Sequence, residues 1–151
     1  MSPPVSPLTT HIGYWLRQVS NHVSHSFARK LATMDVTVAE WALMRVLYDE
    51  APMPPSQLAA RMGLTRGAVT KLANRLIAKR LLTRAANLDD NRAQTIGLMR
   101  KGAALVPRLA ALADENDAES FAHLSDRERK ALHRILHKTV ARHGITAVAV
   151  D

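Results

Sequence analysis

The segment Ser56–Leu76 narrows the possible folds more than any other part of the chain. Leu58, Ala59 and Met62 recur at helical spacing before Gly63, and Val69, Leu72 and Leu76 do so after it, with Leu64 between the two sets. Each set makes one apolar stripe on a short helix. Ser56 is a favourable N-cap for the first helix, which reaches Met62. Gly63 stops it, because a residue without a Cβ enters the left-handed conformation of a helix C-terminus at little cost. Thr65 caps the second helix, which runs to about Lys79. Two short helices joined by a tight glycine turn, with apolar side chains fixing the angle between them, form a helix-turn-helix.

The charge falls on the same part of the chain. Between Ser56 and Lys101 stand ten Lys or Arg, namely Arg61, Arg66, Lys71, Arg75, Lys79, Arg80, Arg84, Arg92, Arg100 and Lys101, against two acids, Asp89 and Asp90. The remainder holds eleven of each sign, so the whole formal charge of +8 lies in this central segment. A basic segment between neutral flanks suits a polyanionic partner, since cations set against phosphates release condensed counterions. A solvated basic face would give the same count, so the charge gains meaning from the motif that carries it.

The 151 residues suit one domain with an extended oligomerisation element. From Thr9 to Leu31, Ile12, Leu16, Val19, Val23, Phe27 and Leu31 mark one helical stripe. Thr37-Val-Ala-Glu40 reads as a capping box opening a helix from about Val38 to Tyr48. Ala51–Pro55 reads as a Pro-broken connection. After Lys79 the period changes, and Leu81–Ala85 and Thr95–Met99 read as short strands joined by the turn formers Asn87–Arg92. From Lys101 the pattern is helical again, with Pro107 placed to kink it. Ser125-Asp-Arg-Glu128 is a second capping box, opening a last helix with Leu132, Ile135, Leu136 and Val140 that Gly144 ends.

A helix-turn-helix places the N-terminal end of its second helix in the major groove. There Arg66, Gly67, Ala68, Thr70 and Lys71 point outward. Arg pairs bidentately with guanine, and Thr reads a polar edge or a thymine methyl. Gly67 and Ala68 keep the surface low enough for close approach, while Arg75 is better placed for phosphate. The hairpin that follows carries Asp90-Asn-Arg92 at its tip. A cation on a projecting wing suits the narrow, electronegative minor groove, with Asp90 steadying the guanidinium.

Leu81-Leu-Thr-Arg84, Asp90-Asn-Arg92 and Leu98-Met-Arg-Lys-Gly102 resemble the wing signature of the MarR family of bacterial regulators, which has a Leu-x-x-Arg strand, an Asp-x-Arg tip and a Leu-Thr-x-x-Gly entry to the fifth helix. Leu58-Ala-Ala-Arg-Met-Gly63 and Thr65–Leu76 are similar to that family's helix-turn-helix. The resemblance covers essentially the whole chain. One departure is Met99, which stands where the family usually has Thr and weakens the cap of the fifth helix. The resemblance implies a mainly α fold: a winged helix-turn-helix, with a three-helix core and a two-stranded wing over 37–100, flanked by dimerisation helices at 8–31 and 101–147. It implies a sequence-specific regulator, a repressor, that binds double-stranded DNA at a pseudo-palindromic operator as a homodimer. The expected DNA contacts are Ser56, Thr65, Arg66, Gly67, Ala68, Thr70, Lys71, Arg75, Arg84, Asp90 and Arg92. A constitutive or architectural DNA-binding protein without sensing shares all of these features. The apolar flanking helices, and the apolar tail Ile145–Val150, suit burial against a partner.

Family members are commonly released from DNA by small aromatic or phenolic anions. Tyr14, Trp15 and Trp41 supply rings for stacking and Arg45 a cation for a carboxylate; packing aromatics and a surface cation are the plainer reading. His22 and His25, with His11 on a similar azimuth, and His133 with His137 have spacings that can present two imidazoles to one ion. No cysteine exists and no carboxylate is in register, so no metal and no cofactor is expected. His133-Arg-Ile-Leu-His137 superficially resembles a zinc-hydrolase helix but lacks the Glu that acts as general base, so no enzyme is expected. The start MSPPVSPLTT has no secretory pattern and no run is long enough to span a membrane, which points to the cytoplasm.

Overall fold

The computed structural model describes residues 1–86 and 94–150. After a single 3-10 turn at Leu8–Thr10 come α1 (Ile12–Ala32), α2 (Val38–Leu47), α3 (Pro55–Met62), α4 (Arg66–Ala78), β1 (Leu82–Ala86), β2 (Gln94–Leu98), α5 (Arg100–Ser120) and α6 (Asp126–Arg142). The mainly α architecture with a two-stranded antiparallel wing is the expected one. The turn formers 87–92, including Asp90 and Arg92, lie outside the described residues.

Several helix ends are set by local chemistry. Thr65 accepts the Ala68 amide at 3.1 Å and opens α4. Ser125 and Glu128 satisfy each other's backbone amides in a complete capping box. Gly63, at φ +67, ends α3: the Leu64 amide reaches back to the Ala59 carbonyl and the Gly63 amide to that of Ala60.

Two expected caps differ. Ser56 is inside α3, not before it. Pro55 occupies the first helical position and Pro54 is the N-cap. Proline's fixed φ and missing N–H fit the first helical position, so the helix begins there. Thr37 does cap α2 by accepting the Glu40 amide at 3.1 Å, but the box is only half closed. The Glu40 carboxylate turns instead to Lys79, at 2.9 Å.

The strands pair in register from Leu82 with Leu98 to Ala86 with Gln94. Met53 adds a third, one-residue rung: its amide donates to the Ile96 carbonyl at 3.0 Å, and the Ile96 amide donates back at 2.8 Å. The stretch read as a mere connection therefore anchors the sheet to the helices. Gly102 explains itself by proximity: a Cβ there would run into the Leu81 carbonyl oxygen. Only glycine lets the first turn of α5 pack this tightly on the base of the wing. Pro107 lies within α5 without ending it.

The core gathers Leu43, Met44, Leu58, Met62, Leu76, Leu82 and Ile96, with Val106 and Leu109 of α5 closing it. α6 contributes no buried residue. Ile135, Leu136 and Val140 on α6, and Ile12, Trp15, Leu16 and Val19 on α1, remain exposed. Among the described residues, no helix is long and apolar enough to cross a membrane.

Candidate nucleic-acid interface and effector cavity

One side of α4 is sunk in the core through Val69, Leu72, Ala73 and Leu76. Helical geometry then leaves Arg66, Gly67, Thr70, Lys71 and Arg75 on the exposed side, with Ala68 half-buried at the edge. A Cβ on Gly67 would meet nothing within 4 Å, so this end of the helix is open. Thr65, its N-cap, is exposed, as is Ser56 in the first turn of α3. Among the described residues, Arg66, Lys71 and Arg75 enter no ion pair. Arg84, on β1, donates to Asn74 Oδ1 at 2.9 Å, which ties the base of the wing to α4.

Other cations of the basic segment are committed to the fold. Arg61 pairs with Glu50 at 3.2 Å. Lys79, at the C-terminus of α4, donates to the Asp35 carbonyl at 2.6 Å and to Glu40 Oε2 at 2.9 Å. The Glu40 side chain is only 3 % exposed, so this pair is a buried strut between α2 and α4. Charge counting cannot separate such a strut from a phosphate contact; burial of its partner can.

A cavity of about 380 Å³ opens where α1, α2 and α5 meet. Trp41, Arg45, Phe27 and Asn116 line it. Trp41 stands edge-on to Phe27, with centroids 6.4 Å apart. Arg45 is exposed at the rim, its guanidinium 5.9 Å from the centre of the Tyr48 ring. Asn116 is buried; its amide donates to the Val23 carbonyl at 3.2 Å and its oxygen accepts from Lys30 at 3.3 Å. Lys30 also binds Glu119 at 2.8 Å, and this hydrogen bond and charge hold the Glu119 carboxyl below the ordinary glutamate value.

The four aromatic-site candidates thus separate into two pairs. Trp41 and Arg45 share the cavity. Tyr14 and Trp15 pack on each other 5.3 Å apart on the exposed part of α1, and the Trp15 indole donates to the Thr9 carbonyl at 2.9 Å. His133 and His137 stack at 6.3 Å on α6, and His11 contacts the Leu8 carbonyl. Among the described residues, no group of three metal-ligating side chains converges.

Residues 34–93, which include α2, α3, α4 and β1, match the model of the MarR family. The chain is 27 % identical over 124 residues to the HTH-type transcriptional regulator MgrA of Staphylococcus aureus, covering 82 % of this chain and 81 % of that protein. Over these residues the chain is similar to the MarR family. Its fold superposes on a probable transcriptional regulator from Pseudomonas aeruginosa with a TM-score of 0.78 at 27 % identity, covering 88 % of this chain and 99 % of the other. A MarR variant from E. coli complexed with operator DNA gives a TM-score of 0.76 at 23 % identity, covering 85 % and 93 %. Two MarR-family signature positions have a visible physical basis here. Gly102 permits the close approach to Leu81, and Met99, in the place of the usual Thr, leaves α5 without a side-chain cap.

Proposed function

We propose that this chain is a sequence-specific regulator of transcription that binds double-stranded DNA as a homodimer and acts as a repressor in the cytoplasm, with no enzymatic activity. The observation that carries the reading is the open face of α4, where Arg66, Thr70, Lys71 and Arg75 stand around a glycine with nothing above it. Arg66 and Thr70 read base edges, Lys71 and Arg75 hold phosphates, and Arg92 serves the minor groove. That the E. coli MarR variant of similar fold is complexed with operator DNA supports DNA as the partner.

Two such helices related by a two-fold axis read half-sites about one helical turn apart, roughly 34–36 Å, so the operator is a pseudo-palindrome. The exposed apolar residues of α1 and α6 support the dimer. The effector is a small aromatic or phenolic anion held in the cavity, stacked on Trp41 with its acid group toward Arg45.

The test is a fluorescence-anisotropy titration against duplex DNA from upstream of the protein's own gene, with excess non-specific duplex present. Binding that survives the competitor, at one dimer per site, supports the reading. Binding that the competitor abolishes leaves only the sequence-independent electrostatic contribution and favours an architectural protein.

A further inference from the structure

The chain turns back on itself after α6. Gly144, at φ +59, lets the Ile145 amide donate to the Val140 carbonyl at 3.1 Å and its own amide donate to that of Ala141 at 3.2 Å. The residues that follow reach the helix-turn-helix. The Val148 amide donates to the Met62 carbonyl at 3.1 Å. Met62 is the last residue of α3, and its carbonyl is one that a helix end leaves without an internal partner. The carbonyls of Ala59 and Ala60 are taken by the Gly63–Leu64 turn, so the tail satisfies one that the turn does not.

Ala147 lies directly over Gly63. A Cβ on Gly63 would stand 2.6 Å from Ala147 Cβ and 2.8 Å from its Cα. The turn therefore needs glycine twice, once for its positive φ and once for the backbone that crosses it. Val148 and Val150 are half-buried against the core while Ala147 and Ala149 stay exposed. Val148 and Ala149 also line the cavity that holds Trp41 and Arg45. One short stretch thus touches both the cavity and the turn that leads into α4.

We infer that residues 145–150 are a latch: they form an outer wall of the effector cavity and clip the α3–α4 turn, so that filling the cavity and holding the turn are linked. The inference rests on the proposed function only for the nature of the occupant. An occupant that pushes Val148 outward strains the bond its amide makes to Met62. That uncovers Gly63 and loosens the turn just before Thr65, the N-cap of α4. A ligand shifts such an equilibrium only through a difference in contacts between the two states, and here the difference is the wall itself.

The test needs no effector. Trp15→Phe leaves Trp41 as the sole tryptophan. In that background the full chain is compared with a chain ended after Gly144 and with Val148→Asp, and Val148→Ile serves as the conservative control. Amide exchange followed residue by residue, and acrylamide quenching of Trp41, are the readouts. The expected result is a protected Val148 amide in the full chain and stronger Trp41 quenching in the truncated and Asp chains. Exchange at Gly63 and Leu64 should rise about fivefold or more in both, the lower end of ordinary coupling between sites, and stay unchanged in the Ile variant. An unprotected Val148 amide, or quenching indifferent to truncation, overturns the wall. Unchanged exchange at Gly63 and Leu64 overturns the latch. Failure of the full chain to select any operator would sink the DNA reading and leave these readouts standing.

Discussion

The winged helix and the helices that flank it bury their apolar residues to very different degrees. Helices α2, α3 and α4 each sink a full stripe, and the core they share is closed by β1, β2 and the start of α5. Helix α1 buries only Leu31, and α6 buries nothing. Yet α1 and α6 carry apolar stripes as regular as those of the core helices. An amphipathic helix with an exposed stripe forgoes the burial that normally stabilises it in water. The winged helix is finished within one chain, whereas the flanking helices leave their apolar stripes uncovered. Exposed large apolar residues gathered on two helices mark an interaction site rather than a folding fault.

This contrast is sharpest under substitution. Leu76→Ala, in the buried stripe of α4, should cost about 3 kcal/mol through lost burial and the cavity left behind. Urea unfolding would show this, and the association of two chains should be little altered. Lys79→Met should cost nearly as much, about 3 kcal/mol, because it strands the buried Glu40 carboxylate without its cation. Glu40→Gln combined with Lys79→Met should recover much of that loss. A small effect of Lys79→Met on stability, with a large effect on DNA affinity, would instead make Lys79 a phosphate contact.

Leu136→Asp acts on the other side of the comparison. Leu136 is 40 % exposed on α6, so its replacement removes little from the fold of one chain. Sedimentation should nevertheless show association of two chains weakened about tenfold or more, as expected for a charge set into an apolar contact. If the variant unfolds as readily as Leu76→Ala while remaining dimeric, the exposed stripe is not the interface.

The same division explains what could be read from the sequence. Among the described residues, periodicity located the six α-helices and the two strands, and Thr65, Ser125, Gly63 and Gly144 marked helix ends correctly because caps act over three or four residues. The α3 start was misplaced by weighing Ser56 over Pro55, although Pro at the first helical position was visible in the sequence. What escaped was long-range. Nothing near Glu40 announces that Lys79 is its partner, and nothing near Met53 announces the rung with Ile96. Periodicity gives the azimuth of Trp15 and Trp41 on their own helices but not which helices meet. That is why Trp41 and Arg45 share a cavity and Tyr14 and Trp15 do not. The tail was legible as apolar but not as a cover for Gly63.

The smallest expected effect tests whether acid acts on one region more than the other. Among the described residues, two carboxylates are held below the ordinary glutamate value, and both belong to the flanking helices. Glu119 is held down by the hydrogen bond and charge of Lys30, and Glu128 by the backbone amide and hydroxyl of Ser125. A carboxylate whose folded value is depressed stabilises the fold above its unfolded value, and that contribution fades as pH falls toward the folded one. Both groups face solvent, so each effect is modest. Acidification from about pH 6 to pH 3.5 should therefore loosen the attachment of α1 to α5, through Lys30–Glu119, before it disturbs the core of the winged helix. Amide exchange across the pH series would show protection lost first in α1 and the end of α5. Glu119→Gln should flatten that part of the response, because Gln keeps an oxygen for Lys30 but has no proton to gain. If exchange in α4 instead led the loss, acid would be acting on the finished core, and the Lys30–Glu119 contact would not be what holds the flanking helix in place.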